Sequence, residues 1–177
     1  MRFYIMFLAI LSFLLSGCNT RQTVNNMIGN EIQFPNDLYR IKIDCEKIEK
    51  DTISLKQNKI IIWFDSTGCN QCRMTGLINL CKAYDYCNDS INGECGFYVI
   101  FSPSEEQLND VIYYVWEKKI DMPVLLDIHN EFIQFNPWLP ENEKYHSFLL
   151  NKENEIVLVG SPIYNHKMWQ LYKSLIK

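Results

Sequence analysis

Three short runs of consecutive apolar residues dominate the pattern of the chain. They lie at residues 58–65 (NKIIIWFD), 96–102 (GFYVIFS) and 122–127 (MPVLLD). β-Branched and aromatic side chains form a continuous run in the first of them, so we expect a strand that is buried on both faces of a sheet. The second run predicts another buried strand, and the third predicts one more strand.

Weaker patterns predict further strands on either side of these runs. Residues 40–45 (RIKIDC) alternate polar and apolar side chains, which is typical of a short edge strand. Residues 147–151 and 155–159 flank a polar Lys-Glu-Asn turn and predict a hairpin.

Helical spacing fills the intervals between the strands. A helix is expected to begin near Cys69, and a capping box from Ser104 to Gln107 predicts the start of another. Residues 166–176 form a last amphipathic pattern. The apolar face of the first helix comprises Met74, Leu77, Leu80, Cys81 and Tyr84. Strands that alternate with helices predict an α/β sandwich with a mixed sheet, and the lack of repeats predicts a single domain at residues 31–177.

The first residues have the pattern of an export signal. Arg2 precedes an apolar run at residues 3–15, which is too short to span a bilayer. The following Leu-Ser-Gly-Cys resembles a bacterial lipobox, which implies that residues 1–17 are a signal peptide and that Cys18 carries lipid. The alternative is an ordinary signal peptide with a chance cysteine. The polar residues 18–30 predict a tether, so we expect a lipid-anchored protein of the bacterial cell envelope that faces the periplasm.

Charge narrows the range of partners. The net charge is −4, and no run of Lys or Arg forms a basic stripe, which argues against nucleic acid as a partner. Membrane contact is expected only through the lipid on Cys18.

Seven cysteines are many for a reducing compartment but suit an exported protein. Two of them form a Cys69-Asn-Gln-Cys72 motif, which lies between a predicted buried strand and a predicted helix. The unpaired N–H groups and the positive dipole end of a helix stabilise a thiolate, so Cys69 is the expected nucleophile. Cys72, three residues later, would resolve the mixed disulfide.

Two other interpretations of the motif remain open, namely half of a zinc site and a structural disulfide. No second CxxC or HxxxH motif follows, so no metal and no cofactor are predicted. Cys87 and Cys95 flank a polar turn and form a possible structural disulfide. Cys81 is expected to be a buried apolar residue, and no role is predicted for Cys45.

The order strand, CxxC, helix, strand, helix, MPVLLD and HSFLLNKENEIVLVG resembles the thioredoxin superfamily. In particular, residues 29–177 are similar to the membrane-anchored TlpA/ResA-like thiol-disulfide oxidoreductases. The resemblance implies a thioredoxin-like three-layer sandwich with a central mixed sheet and helices on both faces. It also implies redox activity of Cys69 and Cys72 on exported protein thiols or disulfides, with a membrane or periplasmic electron donor.

The chain departs from that family at three positions. Gly68 replaces a tryptophan before the first cysteine, and Trp63 stands where many members have an acidic residue that relays protons. Asp65 is a substitute for that acid or a turn former. Tyr145 replaces a cis-proline, and its peptide bond is expected to be trans. We expect Gly68, Tyr145 and His146 to form the surface that contacts a substrate.

These departures favour one further functional hypothesis, and the same fold allows another. The first is a non-catalytic thioredoxin-like domain that binds a partner or a metal. The second is a peroxidase, but the Pro-X-X-X-Thr-X-X-Cys pattern is incomplete because Ile62 and Ser66 occupy the proline and threonine positions.

Overall fold

The computed structural model describes residues 19–44, 47–51, 53, 58–68, 70–90, 95–163 and 165–176. The predictions for the signal peptide at residues 1–17 and for Cys18, Cys45 and Cys69 concern residues outside these ranges. Among the helices that are described, none has the length and apolar content needed to cross a bilayer.

A mixed sheet forms the centre of the molecule. Its strands are β1 (Leu38–Lys42), β2 (Lys47–Asp51), β3 (Asn58–Phe64), β4 (Cys95–Phe101), β5 (Val124–Leu126), β6 (Ser147–Leu150) and β7 (Ile156–Val159). Within the described residues their order is β2-β1-β5-β4-β3-β6-β7. β4 pairs in parallel with both β3 and β5, and the remaining pairs are antiparallel. The three strands that the apolar runs predicted therefore form the parallel centre.

Helices cover both faces of this sheet. They are α1 (residues 19–27), α2 (Asn70–Ser90), α3 (Glu105–Glu117), α4 (Glu131–Phe135) and α5 (His166–Leu175), and a 3₁₀ turn covers Glu143–Tyr145. Ile60 and Ile62 of β3 belong to the same buried cluster as side chains of α2, α3 and α5. Ile61 and Trp63 point to the opposite face and pack with side chains of α1 and α4. The alternation of β3 thus separates two cores, and the predicted three-layer architecture is confirmed.

The strand predicted at residues 40–45 is present but is not an edge strand. β1 pairs with β5 on one side and with β2 on the other. β2 has the sequence KIEKD, and its one apolar side chain, Ile48, is 40% exposed. Lysine and glutamate are common on edge strands because they discourage pairing with other chains. With so few apolar residues, β2 gave no strand pattern in the sequence.

Residues 19–27, which were expected to belong to a polar tether, instead form the helix α1. Met27 is 2% exposed in the core on that side of the sheet, and Val24 packs against the same core. Beyond the helix, the Gly29 N–H donates to the Ile156 carbonyl, and the Ile156 N–H donates to the Asn30 carbonyl. Ordered packing therefore begins before residue 31, because two apolar side chains and the free edge of β7 hold this segment.

Candidate active site

The site lies where β3 passes into α2. β3 ends at Phe64 and α2 begins at Asn70, so the predicted nucleophile Cys69, itself outside the described residues, directly precedes the helix. Cys72 lies in the first turn of α2 and is exposed. That first turn contains no acidic side chain. The positive end of the helix dipole is therefore available to stabilise a thiolate here.

A cleft of about 440 Å³ borders Cys72. Its walls come from the end of β3, the first turns of α2, the segment before β6, and the segment between β7 and α5. The lining residues are Ile62, Trp63, Phe64, Cys72, Arg73, Gly76, Asn142, Glu143, Lys144, Ser147, Ser161 and Ile163. A volume of this size lies within the range of small-ligand pockets. The lining combines apolar and polar side chains, which suits part of a polypeptide.

Arg73 is the most highly connected side chain beside Cys72. Its Nη2 atom donates to Asp65 Oδ1 and to Glu143 Oε2, each at 2.8 Å, and its Nε atom donates to Glu143 Oε2 at 3.2 Å. Its Nη1 atom donates to the Asp65 carbonyl, and the guanidinium lies 5.6 Å from the centroid of the Phe64 ring. The sequence analysis missed Arg73 and Glu143. The signal that was present is an arginine directly after the second cysteine.

Gly68 has no room for a side chain. A Cβ atom at this position would lie 2.1 Å from Arg73 Nη2 and 2.2 Å from Arg73 Cζ. The guanidinium therefore occupies the space that any larger residue would need. This gives a steric reason for the glycine that replaces tryptophan at this position.

Asp65 is both a turn former and an ion-pair partner. Its Oδ1 atom accepts hydrogen bonds from the Thr67 N–H at 3.0 Å and from the Thr67 hydroxyl at 2.9 Å, in addition to Arg73. Burial raises the pKa of Asp65, but the hydrogen bonds from Arg73 and Thr67 outweigh it and lower the pKa overall. A carboxylate held ionised in this way is a weak base, so it is poorly suited to relay a proton to or from Cys72.

Trp63, at the position of the family's acidic residue, has a different set of contacts. Its indole Nε1–H donates to Ser102 Oγ at 2.9 Å, and the Ser102 hydroxyl donates to Asp127 Oδ2 at 2.8 Å. Asp127 is fully buried and also accepts the backbone N–H groups of Glu131 and Phe132, where α4 begins. The nearby carboxylate thus organises α4 rather than the thiol.

Tyr145 and His146 are both buried, with exposed fractions of 7% and 1%. Hydrogen bonding to Thr20 lowers the pKa of the Tyr145 phenol against the opposing effect of burial, which places this side chain against α1. Neither residue belongs to the lining of the cleft. No peptide bond among the described residues is cis, so the trans bond expected at Tyr145 is confirmed. The structure therefore does not place Tyr145 and His146 on a surface that a substrate can reach. Of the three residues predicted to contact a substrate, only Gly68 lies beside a residue that lines the cleft, Arg73.

One of the two ring nitrogens of His146 forms a hydrogen bond. Its Nε2–H donates to the Pro140 carbonyl at 2.7 Å, which assigns the proton to Nε2, and Nδ1 has no hydrogen-bond partner among the described residues. Burial is the main cause of a lowered pKa for this imidazole. Its charged form is therefore disfavoured in the folded chain.

Three further cysteines of the described residues, Cys81, Cys87 and Cys95, belong to or pack against the core cluster that α2 covers. Cys87 and Cys95 are 0% and 1% exposed and share one core cluster. A hydrogen bond with Cys95, followed by burial, raises the pKa of the Cys87 thiol. The two thiols of the predicted disulfide are therefore in contact. Cys81 is half-buried, and its Sγ donates to the Leu77 carbonyl at 3.5 Å.

No group of three His, Cys, Asp or Glu side chains within the described part of the chain is arranged to hold a metal ion. The zinc alternative for the cysteine motif involves Cys69, which lies outside those residues.

Comparison with solved structures identifies the fold. AhpC of Mycobacterium bovis has a TM-score of 0.58 at 17% identity, with 85% of this chain and 98% of that chain covered. The thioredoxin domain of a thiol-disulfide oxidoreductase from Bacteroides vulgatus has a TM-score of 0.53 at 14% identity, with 84% and 99% covered. StoA of Bacillus subtilis has a TM-score of 0.50 at 19% identity, with 78% and 96% covered.

The chain has a thioredoxin-like fold. The resemblance to thioredoxin-like thiol-disulfide oxidoreductases is thereby confirmed at the level of the fold. No protein-family model matches the chain, and no curated protein matches it.

Proposed function

We propose that this chain is a thiol-disulfide oxidoreductase of the bacterial cell envelope that reduces or exchanges disulfides in exported proteins through Cys69 and Cys72. One observation carries the proposal: Cys72 is exposed in the first turn of α2, at the border of a cleft formed by β3 and the segment before β6. A thioredoxin-like fold that presents a cysteine pair at this junction has the geometry for thiol-disulfide exchange.

The reaction has two steps. The Cys69 thiolate attacks one sulfur of the substrate disulfide, and the other substrate sulfur leaves as a thiolate. Cys72 then attacks Cys69 in the mixed disulfide and releases the first substrate sulfur. The substrate gains two electrons and two protons, and the chain is left with a Cys69–Cys72 disulfide. A thiol donor in the membrane or periplasm restores the pair by the same exchange in reverse.

Single serine variants test this mechanism. With dithiothreitol as electron source, we expect Cys69→Ser to reduce a polypeptide disulfide such as that of insulin only at the uncatalysed rate. Reduced Cys72→Ser, mixed with the substrate without dithiothreitol, should accumulate a mixed disulfide that is visible by mass spectrometry. Cys81→Ser, the same substitution on the same helix, is the matched control and should retain activity. Unchanged activity of Cys69→Ser would exclude the mechanism.

The proposed location depends on lipid at Cys18. We expect incorporation of a labelled fatty acid into the wild-type chain and no incorporation into Cys18→Ser, which should also leave the membrane fraction. Labelling of the serine variant would contradict the anchor but not the redox chemistry.

A second candidate function is a partner-binding or metal-binding domain without turnover. Trp63 favours it, because its indole N–H is bonded to Ser102 and supplies no carboxylate for proton transfer near Cys72. Stoichiometric zinc in reduced wild-type protein, lost in Cys72→Ser, together with an inactive wild type, would select this candidate over the first.

A further inference from the structure

One buried arginine joins three of the four segments that surround the cleft. Arg73 follows Cys72 in α2, its side chain is only 5% exposed, and it bonds both Asp65 after β3 and Glu143 before β6. The Glu143 side chain is 63% exposed, yet its carboxylate is held by two donors of the same guanidinium. The arginine therefore fixes an otherwise exposed turn against the helix that carries Cys72.

The turn that Arg73 holds contributes polar side chains to the cleft. Asn142, Glu143 and Lys144 all line it, and so does Cys72. Within the turn, the Tyr145 N–H donates to the Asn142 carbonyl and the His146 N–H donates to the Glu143 carbonyl, each at 3.0 Å. These bonds shape the turn, but the ion pair with Arg73 is what ties it to α2. The distance across the cleft thus depends on that pair.

The charge of Arg73 is largely compensated. One guanidinium faces two carboxylates, those of Asp65 and Glu143, at hydrogen-bond distance. A paired charge of this kind has less influence on a neighbouring thiol than an isolated one. The planar guanidinium of arginine has several N–H donors and can bond two carboxylates at once. The compact ammonium group of lysine cannot reproduce this geometry.

We propose that Arg73 is a positioning residue that holds the turn at residues 142–146 in place for polypeptide substrates. The inference rests on the proposed redox function. A polypeptide disulfide must lie along the cleft between this turn and Cys72, whereas a small disulfide reaches the thiol without touching the turn. Arg73 accordingly affects the reaction with polypeptide disulfides more than the intrinsic reactivity of the two thiols.

Two variants cut the same contact in different ways. Arg73→Lys keeps the charge but loses the fork, and Glu143→Ala removes the exposed partner without disturbing the core. For each we expect kcat/KM for a polypeptide disulfide to fall by about tenfold or more, as for the loss of a charge-assisted hydrogen bond. The rate with a small aromatic disulfide should change by less than about threefold, because the thiol chemistry is intact.

Arg40→Lys is the matched control, because Arg40 pairs with Asp51 on β1 and β2, outside the cleft. It should change neither rate. Equal loss with both substrates in the two test variants would assign Arg73 to thiol chemistry or folding and would overturn the proposal. No loss with either substrate would overturn it as well.

Amide hydrogen exchange tests the positioning role of Arg73 independently of enzyme activity. In Arg73→Lys and Glu143→Ala, the amides of Tyr145 and His146 should exchange at least about tenfold faster than in the wild type, while the amide of Val99 in β4 should be unchanged. Unaltered protection of the turn would refute the role of Arg73. An inactive wild type would refute the proposed function alone, since the exchange result stands on its own.

Discussion

The indole ring of Trp63 lies against the imidazole ring of His146, with centroids 4.3 Å apart. The backbone N–H of Trp63 also donates to the His146 carbonyl at 2.9 Å, so the two residues are joined through both backbone and side chain. This contact joins the end of β3 to the segment that leads into β6, directly behind the cleft. The histidine is buried there, and burial disfavours its charged form.

We expect His146 to make folding stability depend on pH. Burial lowers its pKa below the ordinary value of 6.5, so between the two values the unfolded chain holds more protons than the folded chain. The free energy of unfolding should therefore decrease as the pH falls below about 6.5, by at most about 1.4 kcal/mol per pH unit from this one group. Denaturant titrations at pH 7.5 and 5.5 measure the difference.

His146→Phe keeps a ring against Trp63 but does not titrate, so its unfolding free energy should decrease less between these pH values than that of the wild type. His129→Asn and His166→Asn are the controls, because both of these histidines are exposed. An unchanged pH dependence in His146→Phe would show that other groups cause the effect.

Gly68 and Arg73 should be coupled in stability. Gly68→Ala places a methyl group in the space of the guanidinium and should lower the free energy of unfolding by about 1–3 kcal/mol, as overpacking does. In an Arg73→Ala background the same change should cost less than about 0.5 kcal/mol, because the space is vacated. Urea unfolding of the four chains gives the coupling energy.

Gly29→Ala is the control for this cycle. Gly29 has a φ of +83° and nothing within 4 Å of its Cβ position, so alanine there is strained but meets no side chain. Its cost should be the same in both backgrounds. An equal cost of Gly68→Ala in both backgrounds would contradict the steric relationship with Arg73.

Cys87 and Cys95 should be joined by a disulfide in protein isolated from an oxidising compartment. Their thiols are in contact within the core, and the raised pKa of Cys87 makes it unreactive once folded. We therefore expect the bond to form before the core closes, by exchange with a disulfide donor that takes up two electrons. Peptide mapping without reductant should find the linked peptides.

The loop closed by this disulfide is short, and the chain-entropy model gives about 2.5 kcal/mol of stabilisation. Cys87→Ala should lose this contribution under oxidising conditions in addition to the cost that it shows under reducing ones. Cys81→Ala, a half-buried cysteine on the same helix, should cost the same under both. Alkylation of both Cys87 and Cys95 in denatured, unreduced protein would disprove the bond.

The sequence predicted the parts of the fold that long apolar runs specify. β3, β4 and β5 were found because strands buried on both faces need continuous apolar residues. β2 and α4 were missed, since the first is mostly charged and the second has only five residues. α1 was missed because a stretch with few apolar residues resembles a tether until the core that receives Met27 is known.

For the site, local patterns found the cysteine motif but not its surroundings. The ion pair of Arg73 and Glu143 joins residues 70 positions apart. The residue pattern within one helix or turn cannot predict a contact of this kind. Gly68 was recognised as a departure, yet its cause is the position of a guanidinium in space. Contacts between distant residues of this kind require the tertiary structure.

Ser102 should be important for stability although it is a small side chain. It accepts the Trp63 indole N–H and donates to Asp127, with all three residues buried. Ser102→Ala leaves the indole N–H without an acceptor and removes one donor from the carboxylate, so the free energy of unfolding should fall by about 1–3 kcal/mol. Ser174→Ala, which removes an exposed hydroxyl bonded to the Leu171 carbonyl, should have a much smaller effect in the same urea titration. If the two alanine variants are equally stable, the hydrogen bonds from Trp63 through Ser102 to Asp127 make no net contribution, and α4 is held by the backbone bonds to Asp127 alone.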